Sequence, residues 1–145
     1  MHAWELAEKE IDFSEFSALI AVGGDGTLHE VINGMMMRED GKKLPIALVP
    51  NGSGNDLVGS LGCKDLDMAI DWIIKGDVIK MDLNKMLIDA DSRDDIPQGK
   101  LSQQYRYSAT SASLGFIAKV VHNAISHKPY FGGASYLTSG ATGFL

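Results

Sequence analysis

Apolar residues follow two rhythms along the chain. Residues 18–22, Ala-Leu-Ile-Ala-Val, and 45–49, Pro-Ile-Ala-Leu-Val, are short apolar runs closed by Gly23 and by Pro50. Runs of this length predict strands of the parallel kind, covered on both faces. The intervening segments have a helical period. Ala3, Leu6, Ala7 and Glu10 share helical spacing over residues 2–11, and Leu28, Val31, Ile32, Met35 and Met36 follow i, i+3, i+4, i+7, i+8 behind Thr27, a candidate cap. A short helix is predicted over "DLVGSLG" from Asp56. A longer one is predicted over "LDMAIDWIIK", with Asp65 as cap, Gly76 as stop, and Leu66, Ile70, Ile73 and Ile74 on one side. The order α-β-α-β-α-α predicts an α/β fold built on an open parallel sheet.

After Gly76 the period changes. Residues 77–89 and 102–115 read as strands, the second alternating Tyr105, Tyr107, Ala109 and Ser111. The polar stretch 90–100 between them reads as a hairpin loop. Consecutive strands with no crossover helix predict antiparallel pairing and a different layer. The domain boundary is therefore set near Gly76, giving 1–76 and 77–145. A helix with Ile117, Val120, Val121, Ala124 and Ile125 on one face follows, then a Pro/Gly turn at 127–137.

Composition narrows the class. Apolar residues make up 45% and charged residues 22% of the 145 residues, the balance of a globular protein. A net charge of −6 gives no basic field for nucleic acid, so no nucleic-acid partner is expected. Cys63 is the single cysteine, which rules out an intrachain disulfide and fits a reducing compartment. No apolar run approaches the roughly 18 residues of a membrane span, and no secretory signal is visible. A cytoplasmic chain is expected. Met1 runs straight into helical pattern and "SGATGFL" lacks a terminator, which reads as a fragment.

The chemistry concentrates where strands meet helices. "VGGDGT" (22–27) places Gly23, Gly24 and Gly26 between an apolar strand and a helix. Such a turn lets backbone approach an anion, and the helix N-terminus aims free N–H groups and a positive dipole at it. Thr27 adds a hydroxyl. Asp25 would be repelled by a phosphate unless it holds Mg²⁺, directly or through water, or accepts a proton from a hydroxyl that attacks phosphorus. A tight turn with a capping aspartate is the bland alternative, and a lone glycine motif does not decide between them. A second such loop does. "PNGSGND" (50–56) also follows an apolar strand and precedes a helix, and parallel strands bring both loops to one carboxyl edge, where open α/β folds bind ligands. Neither loop matches G-x-x-x-x-G-K-[ST] or G-x-G-x-x-G, so neither a P-loop nor a dinucleotide site is expected.

"VGGDGTLHEVINGMM" together with "VPNGSGNDLVGSLG" resembles the catalytic domain shared by diacylglycerol, sphingosine, ceramide and bacterial lipid kinases. "SASLGFIAKV" and "GGASYL" resemble the start of that family's second, lipid-binding domain. The resemblance implies a Rossmann-like nucleotide domain followed by an antiparallel β-sandwich, and transfer of the γ-phosphate of ATP, with Mg²⁺, to a lipid hydroxyl at a membrane surface by peripheral contact. It implies that Gly23, Gly24, Asp25, Gly26, Thr27 and His29 line the ATP phosphates, with Asp25 as base or part of the metal network. Ser53 would face the nucleotide, with Asn51, Gly54, Asn55 and Asp56 shaping the second loop. Glu30 is a candidate support for the loop–helix junction. The family's Asn-Pro first strand and its later catalytic acidic residues have no match here, so an incomplete active site is expected. Sphingosine kinases carry an acidic residue shortly after "GFIA" that meets the substrate ammonium. Lys119 stands in that region here, which favours a neutral acceptor such as diacylglycerol.

Other features carry less. His2, His29, His122 and His127 lack metal-ligand spacing, Met35, Met36 and Met37 read as core filler, and Cys63 has no activating base. NAD kinases share "GGDGT", but the Asn-Glu dipeptide of that family is missing and "PNGSGND" is left unexplained. A kinase-fold subunit retained for binding or structure is the second alternative.

Overall fold

The computed structural model describes residues 2–87, 105–113, and Ile117, Ala118, Val120, Val121, Asn123 and Ala124. The chain divides into two compact units, Met1–Thr110 and Ser111–Leu145. In the first, the described elements run α1 (His2–Glu5), a π-helical turn (Leu6–Glu10), β1 (Leu19–Gly23), α2 (Asp25–Met36), β2 (Ile46–Pro50), α3 (Asp56–Ser60), α4 (Leu66–Lys75), β3 (Asn84–Leu87) and β4 (Tyr105–Ser108). In the second, the six residues described between 117 and 124 are helical, as the apolar spacing predicts; Ile125 and the turn at 127–137 lie outside the described residues.

The fold is mixed α/β. β1 and β2 pair in parallel with Leu19 opposite Ile46 and Gly23 opposite Pro50. β3 and β4 pair antiparallel, Lys85 opposite Tyr107. The antiparallel pairing expected after Gly76 is present, but the strand is shorter than the pattern predicts. Asp77–Leu83 is irregular, and Val78 and Ile79 are exposed, because no neighbouring strand pairs with them among the described residues.

The core forms between the sheet and α2. Ala21 and Leu48 meet Leu28, Val31 and Ile32 of α2, with Ala7 and Val58 closing the sides. The alternate face differs from expectation. Ile20 and Val22 are 53% and 63% exposed, so β1 is covered on one face only. α4 lies against β2 and leaves these two side chains open. α4 itself buries Ala69, whose small side chain permits close approach, while Leu66, Ile70 and Ile74 stay exposed instead of facing the core. Its ends are as predicted: Asp65 Oδ1 accepts from the Met68 N–H at 2.9 Å, and Gly76 closes it at φ 71°. Met35 is buried and Met36 packs against the core, as expected of filler, while Met37 is the C-cap of α2.

Arg38 joins the first helix to the end of α2. Its Nη1 donates to the carbonyls of Ala7, Glu8 and Ile11 at 3.0, 3.2 and 3.0 Å, satisfying the last turn of the π-helical segment. Its guanidinium lies 4.0 Å from the centroid of the buried Phe13 ring. A two-pronged hydrogen bond to Asp40 holds that carboxyl down to about 2. Glu30 supports a junction, though not at the glycine loop: its Oε2 accepts from the Ala3 N–H at 3.2 Å, at the start of α1.

Candidate active site

Both glycine loops leave the same end of the β1–β2 sheet, because the strands are parallel and in register. The Asn51 N–H donates to the Gly23 carbonyl at 2.8 Å and extends the ladder by one bond into the second loop. The loops then touch glycine to glycine. A Cβ on Gly24 would lie 2.9 Å from Gly52 Cα, and a Cβ on Gly52 would lie 2.4 Å from Gly24 Cα. No larger residue fits either position without parting the loops. Gly52 is a site residue that sequence reasoning misses, although its place in "PNGSG" is an available signal.

α2 begins one residue after Gly24, earlier than expected. Gly24 is the N-cap in extended conformation and supplies no side-chain cap. Thr27 is therefore the third helical residue, not the cap. Its side chain folds back over Gly23, where a Cβ would meet Thr27 Oγ1. With no side-chain cap, the first N–H groups of α2, from Asp25 to Thr27, have no intrahelical acceptor and point out of the helix end. The Leu28 N–H is the first to be bound, to the Gly24 carbonyl at 3.1 Å. Gly26 has open space where a Cβ would sit, so crowding does not require glycine there.

Asp25 ties the two loops together. Its Oδ2 accepts from the Asp56 N–H at 2.9 Å and its Oδ1 from the Leu57 N–H at 3.2 Å. The carboxylate of the first loop thus caps α3, the helix that follows the second loop. One lone pair on each oxygen remains for another partner. Asn55 shapes the second loop, as expected, in the left-handed conformation at φ 57°. Its side chain accepts from the Gly52 N–H and donates to the Gly52 carbonyl, both at 2.9 Å. Asn51, Ser53, Gly54 and Asp56 are exposed on this loop, and a Cβ on Gly54 would sit 3.5 Å from Asp25 Oδ2.

His29 stands one turn along α2 with an exposed face. Desolvation pushes its pKa down, the charge of Arg106 adds to the effect, and Glu30 opposes it. The sign is fixed by linkage. As pH falls through about 6.5 the unfolded chain takes the proton before the folded one does, so His29 makes the fold less stable in acid. A His29→Gln chain is expected to lose less Tm than the wild type between about pH 7.5 and pH 5.5. Parallel melting curves at the two pH values check this, and equal losses overturn it.

Asn33 and Gly34, in "VING", are likewise missed from sequence, and both hold the site's scaffold. Asn33 is fully buried. A Cβ on Gly34 would lie 2.3 Å from the Trp4 carbonyl oxygen. The available signal is a polar residue and a glycine interrupting an apolar helical face.

Two small-residue loops on one parallel sheet edge, joined by an aspartate, match the sequence comparison. The chain matches the family described as diacylglycerol kinase catalytic domain over residues 2–86. It belongs to that family. Relatives carry both kinds of lipid in their names. Sphingoid long-chain bases kinase 1 of Arabidopsis thaliana is 32% identical over 149 aligned residues, covering 99% of this chain and 18% of the relative. Diacylglycerol kinase of Staphylococcus epidermidis is 43% identical over 81 residues, 55% of this chain and 25% of the relative. Sphingosine kinase B of Dictyostelium discoideum is 40% identical over 78 residues, 52% of this chain and 10% of the relative. The chain therefore spans between 10% and 25% of the length of these three relatives.

Among the described residues no group of three or more His, Cys, Asp or Glu side chains could hold a metal ion. Among the same residues no helix is long and apolar enough to cross a membrane.

Proposed function

We propose that this chain is the nucleotide-binding part of a lipid kinase that moves the γ-phosphate of ATP to a lipid hydroxyl. The observation that carries the reading is the glycine-to-glycine junction of the two loops beside the first N–H groups of α2, which have no side-chain cap among the described residues. We read residues 1–76 as a Rossmann-like nucleotide domain and 77–145 as the start of a β-sandwich that meets the lipid at a membrane surface.

Fit to ATP rests on donors and space. Uncapped N–H groups at the start of a 12-residue helix suit phosphate oxygens. We assign Gly23, Gly24 and Gly26 of the first loop, Thr27 and His29 of α2, and Asn51, Ser53, Gly54 and Asn55 of the second loop to the lining of the nucleotide. Mg²⁺ is usually held by phosphates and water with one or two carboxylates, a role open to Asp25 and Asp56 without a protein-made cage. When bound, it neutralises phosphate charge. In the transfer, the lipid hydroxyl oxygen forms a bond to the γ-phosphorus as the bond to the ADP oxygen breaks. The hydroxyl proton passes to Asp25, on a lone pair not used by the α3 N–H groups.

Diacylglycerol is the favoured acceptor. Lys119 would repel the ammonium of a sphingoid base, and a neutral glyceride carries no such charge; this residue lies outside the described ones. The relative matched along 99% of the chain favours the second reading, a sphingoid base.

The test is ATP-Mg binding by calorimetry, followed by phosphate transfer to diacylglycerol, sphingosine and NAD in parallel. ATP-Mg binding is expected of this chain, and transfer to diacylglycerol of a longer chain that supplies the family's Asn-Pro strand and later acidic residues, with Asp25→Ala lowering that transfer by about 100-fold or more. Transfer to sphingosine alone overturns the acceptor, and transfer to NAD overturns the lipid class. A folded chain that binds no ATP-Mg is instead a structural or binding subunit.

A further inference from the structure

Asn33 lies two turns beyond the glycine loop on α2 and is fully buried. Burying a primary amide is costly unless each polar atom finds a partner. Here each does. Nδ2 donates to the His29 carbonyl and to the Tyr107 carbonyl, both at 2.8 Å, and Oδ1 accepts from the Tyr107 N–H at 2.8 Å. Both donors and the acceptor of the amide are thus in use.

The pairing with Tyr107 has a particular form. Tyr107 lies opposite Lys85 in the β3–β4 pair. In an antiparallel pair, alternate residues aim their main-chain groups away from the partner strand. Those of Tyr107 aim at Asn33. The Asn33 amide therefore does what a residue of a third strand would do, exchanging two hydrogen bonds with the edge of β4. An aliphatic residue of similar size would fill the space but leave the Tyr107 N–H and C=O without a partner.

We infer that Asn33 is a positioning residue for phosphate transfer, holding β4 at a fixed place on the helix whose first turn carries the glycine loop. The inference rests on the kinase reading above, in which α2 belongs to the nucleotide part and β4 to the acceptor part. Asn33 touches neither substrate. It fixes the backbone of one part to the helix of the other, so its loss misplaces the acceptor side while the nucleotide loops stay intact.

The experiment uses the 145-residue chain and an Asn33→Asp variant for exchange and ATP-Mg binding, and the same pair with the parts that complete the active site for transfer. The carboxylate keeps the shape but sets an oxygen against the His29 and Tyr107 carbonyl oxygens, a repulsion that drives β4 off α2 and opens the Tyr107 N–H to solvent. Three quantities are read: hydrogen exchange at the Tyr107 amide, the ATP-Mg dissociation constant, and kcat for transfer to the lipid. Tyr107 exchange is expected to rise, and kcat to fall, each by about tenfold or more, the worth of one lost buried hydrogen bond. ATP-Mg affinity is expected to stay within about threefold of the wild type, as its loop is untouched. Asn33→Ser, smaller and uncharged, is the second variant if the carboxylate prevents folding.

Unchanged Tyr107 exchange overturns the inference. So does a fall in ATP-Mg affinity that matches the fall in kcat, since that is general damage to the fold. A wild-type chain that, even with the parts that complete the active site, moves no phosphate to any lipid removes the kinase reading by itself, and positioning for transfer falls with it. Tyr107 exchange then separately reports whether Asn33 holds β4.

Discussion

A Gly52→Ala chain is expected to bind ATP-Mg about 10- to 100-fold more weakly than the wild type while remaining folded. The added Cβ would stand 2.4 Å from Gly24 Cα, 3.1 Å from Gly24 N and 2.9 Å from Asn55 Oδ1. The first two are backbone atoms of the opposite loop, which cannot rotate aside as a side chain can. Both loops are anchored behind the contact. Asn55 grips the Gly52 main chain through two hydrogen bonds, and Asp25 holds the start of α3. The overlap must therefore be relieved by separating the loops, and overpacking of this kind costs about 1–3 kcal/mol. Gly52 is exposed and lies at the edge of the fold, so the loss should appear in binding rather than in global stability. Gly59→Ala is the matching control: it sits in α3 with nothing within 4 Å of the new Cβ. That variant should bind ATP-Mg as the wild type does and gain up to about 1 kcal/mol of stability from better helix propensity. Titration calorimetry with melting curves checks both, and wild-type affinity in Gly52→Ala would show that the loop contact does not shape the cleft.

Gly34→Val should be the most destabilising single change considered, at about 3 kcal/mol, or roughly 10 °C in Tm. Gly34 is buried where α1 crosses α2, and its Cβ would lie 2.3 Å from the Trp4 carbonyl oxygen, 3.0 Å from Trp4 C and 2.9 Å from Ala7 Cβ. Glycine in a helix interior costs about 0.5–1 kcal/mol relative to alanine, so this position gives up propensity for closeness. A branched side chain forces α1 and its π-helical turn off α2. With them go the buried Ala7, the Glu30–Ala3 bond and the three carbonyl contacts of Arg38. Trp4 reports the event directly. Its indole donates to Glu8 at 2.9 Å and stacks under the Arg106 guanidinium, so its fluorescence should change before the main unfolding transition. Urea unfolding followed at the tryptophan emission and by far-ultraviolet dichroism checks the prediction; a midpoint equal to that of the wild type overturns it.

The sequence by itself determined the local elements and the kind of site. β1, α2, β2 and α4 lie where apolar period and length place them, and Asp65 and Gly76 end α4 as their chemistry dictates. The two loops were legible for the same reason. Glycine clusters between a strand and a helix are local signals, read within a handful of residues. The partner of each side chain was not local. Asp25 reads as a base or metal ligand from its loop alone, and only the fold adds that it also holds N–H groups of residues 31 and 32 positions away. Asn33 reads as a polar interruption of α2 until Tyr107, 74 positions away, presents its main chain. The exposed faces of β1 and α4 have the same cause: an apolar run records that a residue can be buried, and what covers it is a property of the packed chain. Tertiary structure alone decided that Gly24 meets Gly52, because two loops that share no sequence signal of contact are brought together by the register of parallel strands.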